Sequence, residues 1–430
     1  LTKPKENSLH TSLSKTFLQK LGPGLITGAS DDDPSGIATY SQAGARFGFR
    51  MLWVMLFTYP LMAAMQEISA RLGRITGTGI AGNMRKHNPP ALTYSIVLLI
   101  CVAGVFNLGA DLGAMGAATQ LLAGGPLWLY VLTFAAVSLL LQMYVRYTTY
   151  VKYLKWMTLA VFAYIATAFV VHAPWLEVLH ATVMPSISFD GKYLATLIAV
   201  LGTTISPYLF FWQASQEAED VHVTSTDQPL RKSPDQAPEQ FNRIRVDTYF
   251  GMAISNIVAF FIILTTAATL HKSGILDVQT TAQAAQALEP IAGKFAFILF
   301  AAGIVGTGLL AVPVLAGSSA YGVAEAFHWK ASLEKKPSEA RKFYAVLAAA
   351  TLIGLALNFV HIDPIRALFW AAIINGVAAV PVMIVTMLLA SSKKVMGQFC
   401  IPHFLKAIGW AATLLMLLAS IGLFATLDSQ

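Results

Sequence analysis

The stretch that decides the fold is LITGASDDDPSGIATYSQAGA, residues 25–45: three consecutive aspartates, Asp31, Asp32 and Asp33, then Pro34 and a Ser-Gly pair, set inside an otherwise apolar helix. A buried acid triplet next to a proline cannot hold an unbroken helical hydrogen-bond ladder, so the helix is expected to break there. The surroundings explain where such a break sits. The 430-residue chain is 56% hydrophobic and 12% charged, about half the charged fraction of a soluble domain, which places it in a membrane.

Apolar runs long enough to cross a hydrocarbon core about 30 Å thick recur throughout, near residues 18–44, 50–72, 95–121, 126–145, 155–173, 193–215, 248–270, 293–326, 342–360, 366–391 and 405–426. The expected fold is therefore all-α, with about eleven transmembrane helices. The first run follows Lys15 and Lys20 but carries interior acids and no small-residue cleavage site, so it reads as a retained helix, not a signal peptide. Cys101 and Cys400 offer neither a disulfide framework nor metal-ligand spacing and read as packing residues.

The basic excess is a topology signal. With the N-terminus cytoplasmic, Lys3, Lys5, Lys15 and Lys20, then Arg71, Arg74, Arg85 and Lys86, then Arg146, Lys152 and Lys155, and the later basic clusters all lie inside. Only Arg46, Arg50, Lys192, Lys272, Lys294 and Arg366 fall outside. The positive-inside rule then fixes the N-terminus in and the C-terminus out, as for a multi-pass protein of a prokaryotic plasma (inner) membrane. The expected partners are the lipid bilayer and the ion discussed below, with the chain acting as a monomer and no nucleic acid involved. The polar insert 216–247 reads as a mixed-charge cytoplasmic loop with some helical character and acids that solvate a surface. Neither a phosphate-binding loop nor a Ser-His, Cys-His or H-E-x-x-H constellation is present, which argues against an ATP-driven pump and against a hydrolase.

A second run breaks at GTTISPY, residues 202–208. The two breaks fall in the first and sixth runs, five helices apart. That spacing is the mark of two inverted five-helix repeats whose unwound segments meet near the bilayer midplane and form a transport site. The repeats are expected over about 16–175 and 192–392, with an accessory eleventh helix at 404–427. Gly104, Gly109, Gly113 and Gly116 read as close-packing positions.

An ionised carboxylate at this depth persists only beside a partner or a wet cavity. Asp33 has no basic partner in a membrane run, so a cation is its natural counterpart. Helix carbonyls at residues 30–32, together with Thr203, Thr204 and Ser206 across the gap, supply further oxygens. Neither break contains a thiol, thioether or imidazole. An all-oxygen set suits Mg²⁺, Ca²⁺ or Mn²⁺, and the expected site is wide and wet.

The segments GPGLITGASDDDPSGIATYSQAGARFGFRMLW (22–53) and GTTISPYLFFWQA (202–214) resemble the Nramp family of divalent metal transporters, and the similarity runs over all the predicted helices. The resemblance implies the leucine-transporter-type fold and, for the usual members, proton-coupled uptake of Mn²⁺ and Fe²⁺. It also implies the carbonyls of Ser30 and Thr203 as ligands beside the Asp33 carboxylate. The family's first-helix Asn ligand falls at Gly36 and its sixth-helix Met ligand at Ser206, positions that would shape an enlarged cavity. The family histidines fall at Tyr208 and Gln213, and of its third-helix acid pair only Asp111 is present, with Leu108 one turn before it.

These departures match the Nramp-related magnesium transporters, which carry Mg²⁺ and Mn²⁺ without proton coupling; the ion is cargo, and no cofactor is expected. Asn375 is a candidate oxygen behind the site or a helix-helix hydrogen bond. Tyr208 and Trp212 either line the inner path or pack. Asp31 and Asp32 either face a water-filled vestibule or bond the broken backbone. The alternatives are a proton-coupled Mn²⁺ carrier and a sodium-coupled symporter for a small organic solute, which the same architecture supports.

Overall fold

The computed structural model describes residues 23–145, 149, 157–223, 227–360 and 363–427. The basic residues Lys3, Lys5, Lys15, Lys20, Arg146, Lys152 and Lys155, used above for orientation, lie outside the described residues. The helices are α1 (Pro23–Asp31), α2 (Pro34–Phe47), α3 (Leu52–Thr76), α4 (Ile80–His87), α5 (Pro90–Ala123), α6 (Leu127–Tyr144), α7 (Ala163–Val170) and α8 (Trp175–Val183). Leaving aside the short helices Thr281–Gln286, Glu289–Ala292 and Lys393–Met396, they continue as α9 (Gly191–Thr204), α10 (Pro207–Val223), α11 (Ala237–Thr266), α12 (Ala296–Ala326), α13 (Arg341–Leu357), α14 (Pro364–Ser391) and α15 (His403–Leu427). No strand occurs among the described residues.

Both breaks have a local cause. Asp33 takes an extended conformation (φ −68°, ψ 171°) and its side chain accepts from the Gly36 amide, making it the N-cap of α2, with Pro34 in the first helical position. In the other break Ile205 leaves helical geometry (φ −112°, ψ 58°) two residues before Pro207, which biases its neighbour Ser206 away from the helix. The first and sixth transmembrane helices are thus the pairs α1/α2 and α9/α10, as expected from the inverted-repeat architecture.

Nine helical stretches among the described residues are long and apolar enough to cross a membrane, or ten if the bent pair Leu159–Val170 and Trp175–Val183 is one span. The stretch Pro34–Thr76 joins α2 to α3 and is counted once. Counting the bent pair as one span and separating the broken first helix from the second gives eleven. Large apolar side chains such as Leu98, Leu140, Ile353 and Leu418 stay exposed on its outside, as a lipid-facing surface requires.

Two expectations need correction. Run 155–173 is helical over a shorter stretch than expected: its described part is a 3₁₀ segment, Met157–Phe162, then α7, and after Val170 the chain bends by 119° into α8, which lies beyond the run. Segment 216–247 is mostly helix, because α10 runs through Val223 and α11 begins at Ala237. Asp235 and Glu239 are exposed, as a solvated face requires, but other acids of the segment are not. Glu217 is fully buried and pairs with Arg243, while Glu219 accepts from Tyr321 and Ser332. Buried acids are kept by such partners, not by water.

The two broken helices are clamped through glycine. A methyl on Gly28 in α1 would fall on the backbone of Gly251 in α11, 2.8 Å from its Cα, and one on Gly202 in α9 would lie 2.6 Å from Gly376 Cα in α14. Only glycine lets these backbones approach so closely. Gly202→Ala is therefore expected to destabilise the protein by about 1–3 kcal/mol through overpacking, while Gly303→Ala, whose nearest neighbour would be 3.8 Å away, should be close to neutral. Thermal unfolding in detergent compares them, and equal melting temperatures would refute the clamp.

Candidate metal-binding site

Asp33 is fully buried and its carboxylate has four donors from three transmembrane helices. Oδ1 accepts from Ser35 Oγ at 2.6 Å and from the Gly36 amide at 2.8 Å. Oδ2 accepts from Asn107 Nδ2 of α5 at 2.8 Å and from the Tyr208 hydroxyl of α10 at 3.0 Å. Charge-assisted bonds of this kind replace the water that burial removes. Tyr208 thus does more than pack. Trp212, the other aromatic residue singled out by sequence, stands edge-on to Tyr321, and a methyl on Gly317 would meet its ring. Asn107 was not singled out by sequence; its only signal is an amide in an apolar run, one turn before Asp111.

The two breaks face each other. A methyl on Gly36 would lie 3.2 Å from Thr203 Oγ1, 3.3 Å from the Asp31 carbonyl oxygen and 3.3 Å from the Tyr40 ring. The wide, wet cavity expected at Gly36 and Ser206 is therefore not what this arrangement shows: Ser30, Asp31, Asp33, Thr203 and Ser206 are at most 1% exposed. Two hydroxyls of the second break turn back on their own helix, while Thr203 Oγ1 faces the first break. Ser206 Oγ reaches the carbonyls of Gly202 (3.0 Å) and Thr203 (2.7 Å), and Thr204 Oγ1 those of Val200 (2.8 Å) and Leu201 (3.2 Å). Short hydroxyl side chains bond the preceding turn when the ladder is interrupted.

Asp31 and Asp32 do not face a vestibule. Both converge on Ser255 of α11, whose Oγ is 2.6 Å from Asp31 Oδ2 and 3.1 Å from Asp32 Oδ1. Asp111 is fully buried, with Asp33 as the charge acting on it, and neither of its carboxylate oxygens has a hydrogen-bond partner. It faces the Ser35 amide without reaching hydrogen-bond geometry. Asn375 is buried beside the Gly202–Gly376 contact and makes no helix-helix hydrogen bond through either amide atom. Gln213 accepts from Thr27 of α1. No Lys or Arg is among the groups acting on Asp31, Asp32, Asp33 or Asp111. Among the described residues no three His, Cys, Asp or Glu side chains converge as a ready-made metal cage, so an ion here would draw on carbonyls, amides or water as well.

Polar networks close the bundle at both ends. At the end carrying α4, Arg71 binds Glu67 (2.6 Å) and lies 4.4 Å over the Phe241 ring, Arg74 pairs with Asp227, and Glu325 accepts from the Gly82 amide (3.0 Å) and Ser215 (2.9 Å). A cavity of about 290 Å³ opens there beside Ser215, Glu219, His222 and Glu325. At the opposite end a cavity of about 70 Å³ lies beside Gln42, Arg46 and Asp277, with larger ones of about 450 Å³ beside Arg46 and Lys192 and about 490 Å³ beside Arg50 and His271. Here Arg46 pairs with Asp277, Gln42 donates to Asp277 (3.1 Å) and accepts from the Val278 amide (2.8 Å), and Arg366 donates to Gln279 (3.2 Å).

Partial burial would raise the Asp277 carboxyl, but hydrogen bonds from Gln279 and Gln42 and the Arg46 charge outweigh it and hold the group below the usual carboxylate value. A depressed group stabilises the folded state above its unfolded value and loses that contribution as pH falls through the folded value, here below about 3.9. The strap 272–280 should thus stay latched from about pH 5 to 8. Asp277→Asn is expected to speed hydrogen exchange in the strap at neutral pH, an effect wild type shows only in strong acid. Equal exchange in the two proteins at pH 7 would mean that the ion pair does not hold the strap.

The model of the family described as "Natural resistance-associated macrophage protein-like" (Nramp) matches residues 24–426. The chain is 28% identical over 414 residues to the divalent metal cation transporter MntH of Klebsiella pneumoniae, covering 94% of each chain. It is 27% identical over 416 residues to the MntH of Deinococcus radiodurans, covering 94% of this chain and 88% of that one. Among solved structures, the Eremococcus coleocola manganese transporter in complex with an aromatic bis-isothiourea compound superposes with a TM-score of 0.77 at 16% identity, covering 100% of this chain and 89% of the other. Mhp1, a nucleobase-cation-symport-1 family transporter in a closed conformation, gives 0.56 at 15% identity, covering 94% and 93%. A match across nearly the whole chain, on a bundle with these two facing breaks, makes this protein a member of the Nramp family: a multi-pass membrane transporter of divalent metal cations, not an enzyme.

Proposed function

We propose that the transported ion is Mg²⁺, with Mn²⁺ as a second cargo, and that it moves without a coupled proton. The observation that carries this reading is the donor chemistry at the breaks. The Asp33 carboxylate, the Ser30 and Thr203 carbonyls and the residues at Gly36 and Ser206 offer no sulfur and no imidazole. Late transition metals are selected by such soft or nitrogen ligands, whereas Mg²⁺ takes oxygen and keeps several waters. The relatives' names speak for manganese; a proton-coupled Mn²⁺ carrier is the second reading, favoured by the buried Asp111 on the third helix.

In the first reading, the N-terminus is cytoplasmic and the end carrying Arg71 and Arg74 faces inward. The two repeats, about 16–175 and 192–392, rock against each other so that the breaks open alternately to either side. The membrane potential supplies about 2.3 kcal/mol per charge per 100 mV, roughly twice that for a divalent ion. That bias drives inward accumulation without a second coupled ion.

Asp33→Ala is expected to reduce Mg²⁺ and Mn²⁺ flux in proteoliposomes to background. The lost helix cap costs about 1 kcal/mol and the buried donors of Asn107 and Tyr208 lose their acceptor, so thermal unfolding in detergent checks that the variant is folded; retained flux in the folded variant would move the site elsewhere. A pH dye trapped in the same vesicles should report no acidification as metal enters; acidification that tracks the metal would establish the second reading. Gly36→Asn with Ser206→Met is expected to shift preference toward Mn²⁺; the Cβ alone at 36 would already press on Thr203, Tyr40 and the Asp31 carbonyl at 3.2–3.3 Å, so the larger side chains need these neighbours to move. An unchanged Mg²⁺ to Mn²⁺ ratio would count against the ligand argument.

A further inference from the structure

We infer that the third helix supplies two of the cargo's ligands: the amide oxygen of Asn107 and the carboxylate of Asp111. This inference rests on the reading of Asp33 as a cation ligand and names what completes its shell. The family's amide and thioether positions are Gly36 and Ser206 here; Ser206 and Thr204 turn their hydroxyls onto their own helix and Asp31 and Asp32 converge on Ser255, so the breaks leave Asp33 with few side-chain partners for an ion.

Asn107 and Asp111 stand four residues apart on α5, on one helix face. Both are fully buried. Asn107 touches Asp33 directly, through Nδ2 to Oδ2 at 2.8 Å, yet its own Oδ1 has no hydrogen-bond partner. Both oxygens of Asp111 are likewise without one. Asp111 approaches the Ser35 amide while the Ser35 hydroxyl bonds Asp33 at 2.6 Å, and the two carboxylates both act on Tyr208. Three oxygens left unsatisfied at nearly zero exposure, on the wall that faces Asp33, are costly unless something binds them.

A divalent cation fits that description. Two carboxylates, Asp33 and Asp111, balance its charge, and the amide oxygen adds a neutral hard ligand. The Asn107 amide is suited to both states because it carries a donor and an acceptor. With Nδ2 toward Asp33 it steadies the bare carboxylate, and a half-turn about its last side-chain bond presents Oδ1 to an ion. The amide missing from the first helix is thereby replaced from the third, and the donor set stays free of sulfur. Such a set discriminates by size and hydration, not by softness.

The test exploits sulfur. Asn107→Cys and Asp111→Cys are each compared with the matching serine variant by calorimetric titration of the purified full-length protein with Cd²⁺. Each pair loses the same native group and differs only in a sulfur atom, and Cys101 and Cys400 are common to both members. If the side chain contacts the ion, the cysteine variant should bind Cd²⁺ at least about tenfold tighter than the serine variant. A residue that only positions Asp33 weakens both members alike, so equal affinities remove that residue from the ligand set. Asp33→Cys against Asp33→Ser is the reference pair: a gain there without a gain at positions 107 and 111 overturns the third-helix ligands alone, and no gain at Asp33 overturns the reading beneath them. Should a variant not fold, the wild-type protein soaked in Mn²⁺ decides by anomalous scattering. Density within about 2.6 Å of Asn107 Oδ1 and the Asp111 carboxylate is expected, and density beside Asp33 but farther than that from both would overturn the inference.

Discussion

A carboxylate kept where there is no water is the constraint on which this structure depends. An ionised Asp near a bilayer centre costs at least about 2.5 kcal/mol, and Asp33 is held by local donors instead of by a basic residue. Two come from its own helix, through Ser35 and Gly36, one from the third helix and one from the sixth. The same carboxylate caps α2, so the break in the first helix and the charge at its centre are one feature. Removing the charge removes the cap, which ties the polar site to the shape of the backbone around it.

The rest of the bundle keeps those breaks in place and shut. Gly28 against Gly251 and Gly202 against Gly376 bring each broken helix to backbone contact with a neighbour that is continuous at the contact. Contacts that tight move as units, which favours rocking of whole elements over local loosening. The ends are closed by different chemistry: buried ion pairs and hydrogen-bonded acids at one, and a half-exposed latch around Asp277 at the other. An exposed pair is worth less than a buried one is costly to break, so the Asp277 latch is the weaker of the two seals.

Much of this was legible from residue type and spacing. Helices that cross a bilayer are fixed by apolar length, and the breaks by proline, glycine and acids that no continuous ladder accommodates. Their separation by five helices pointed to inverted repeats. Less legible were contacts between side chains far apart in sequence. Glu217 and Glu219 looked like a solvated loop because composition does not reveal that α10 extends over them. Gly36 looked like empty space because a missing side chain does not announce that Thr203, Tyr40 and the Asp31 carbonyl will close in on it. Asp31 and Asp32 looked free because Ser255 lies more than two hundred residues away.

The sequence by itself determined that the chain spans a membrane, where its two discontinuous helices fall and that the break segments themselves carry no sulfur or imidazole, because hydrophobic length and backbone chemistry are local properties. Only the tertiary structure decided which residues share the centre between those helices. Asn107 and Asp111 face Asp33 because α5 packs across the first helix, and no spacing along the chain encodes a contact made by helices meeting in space.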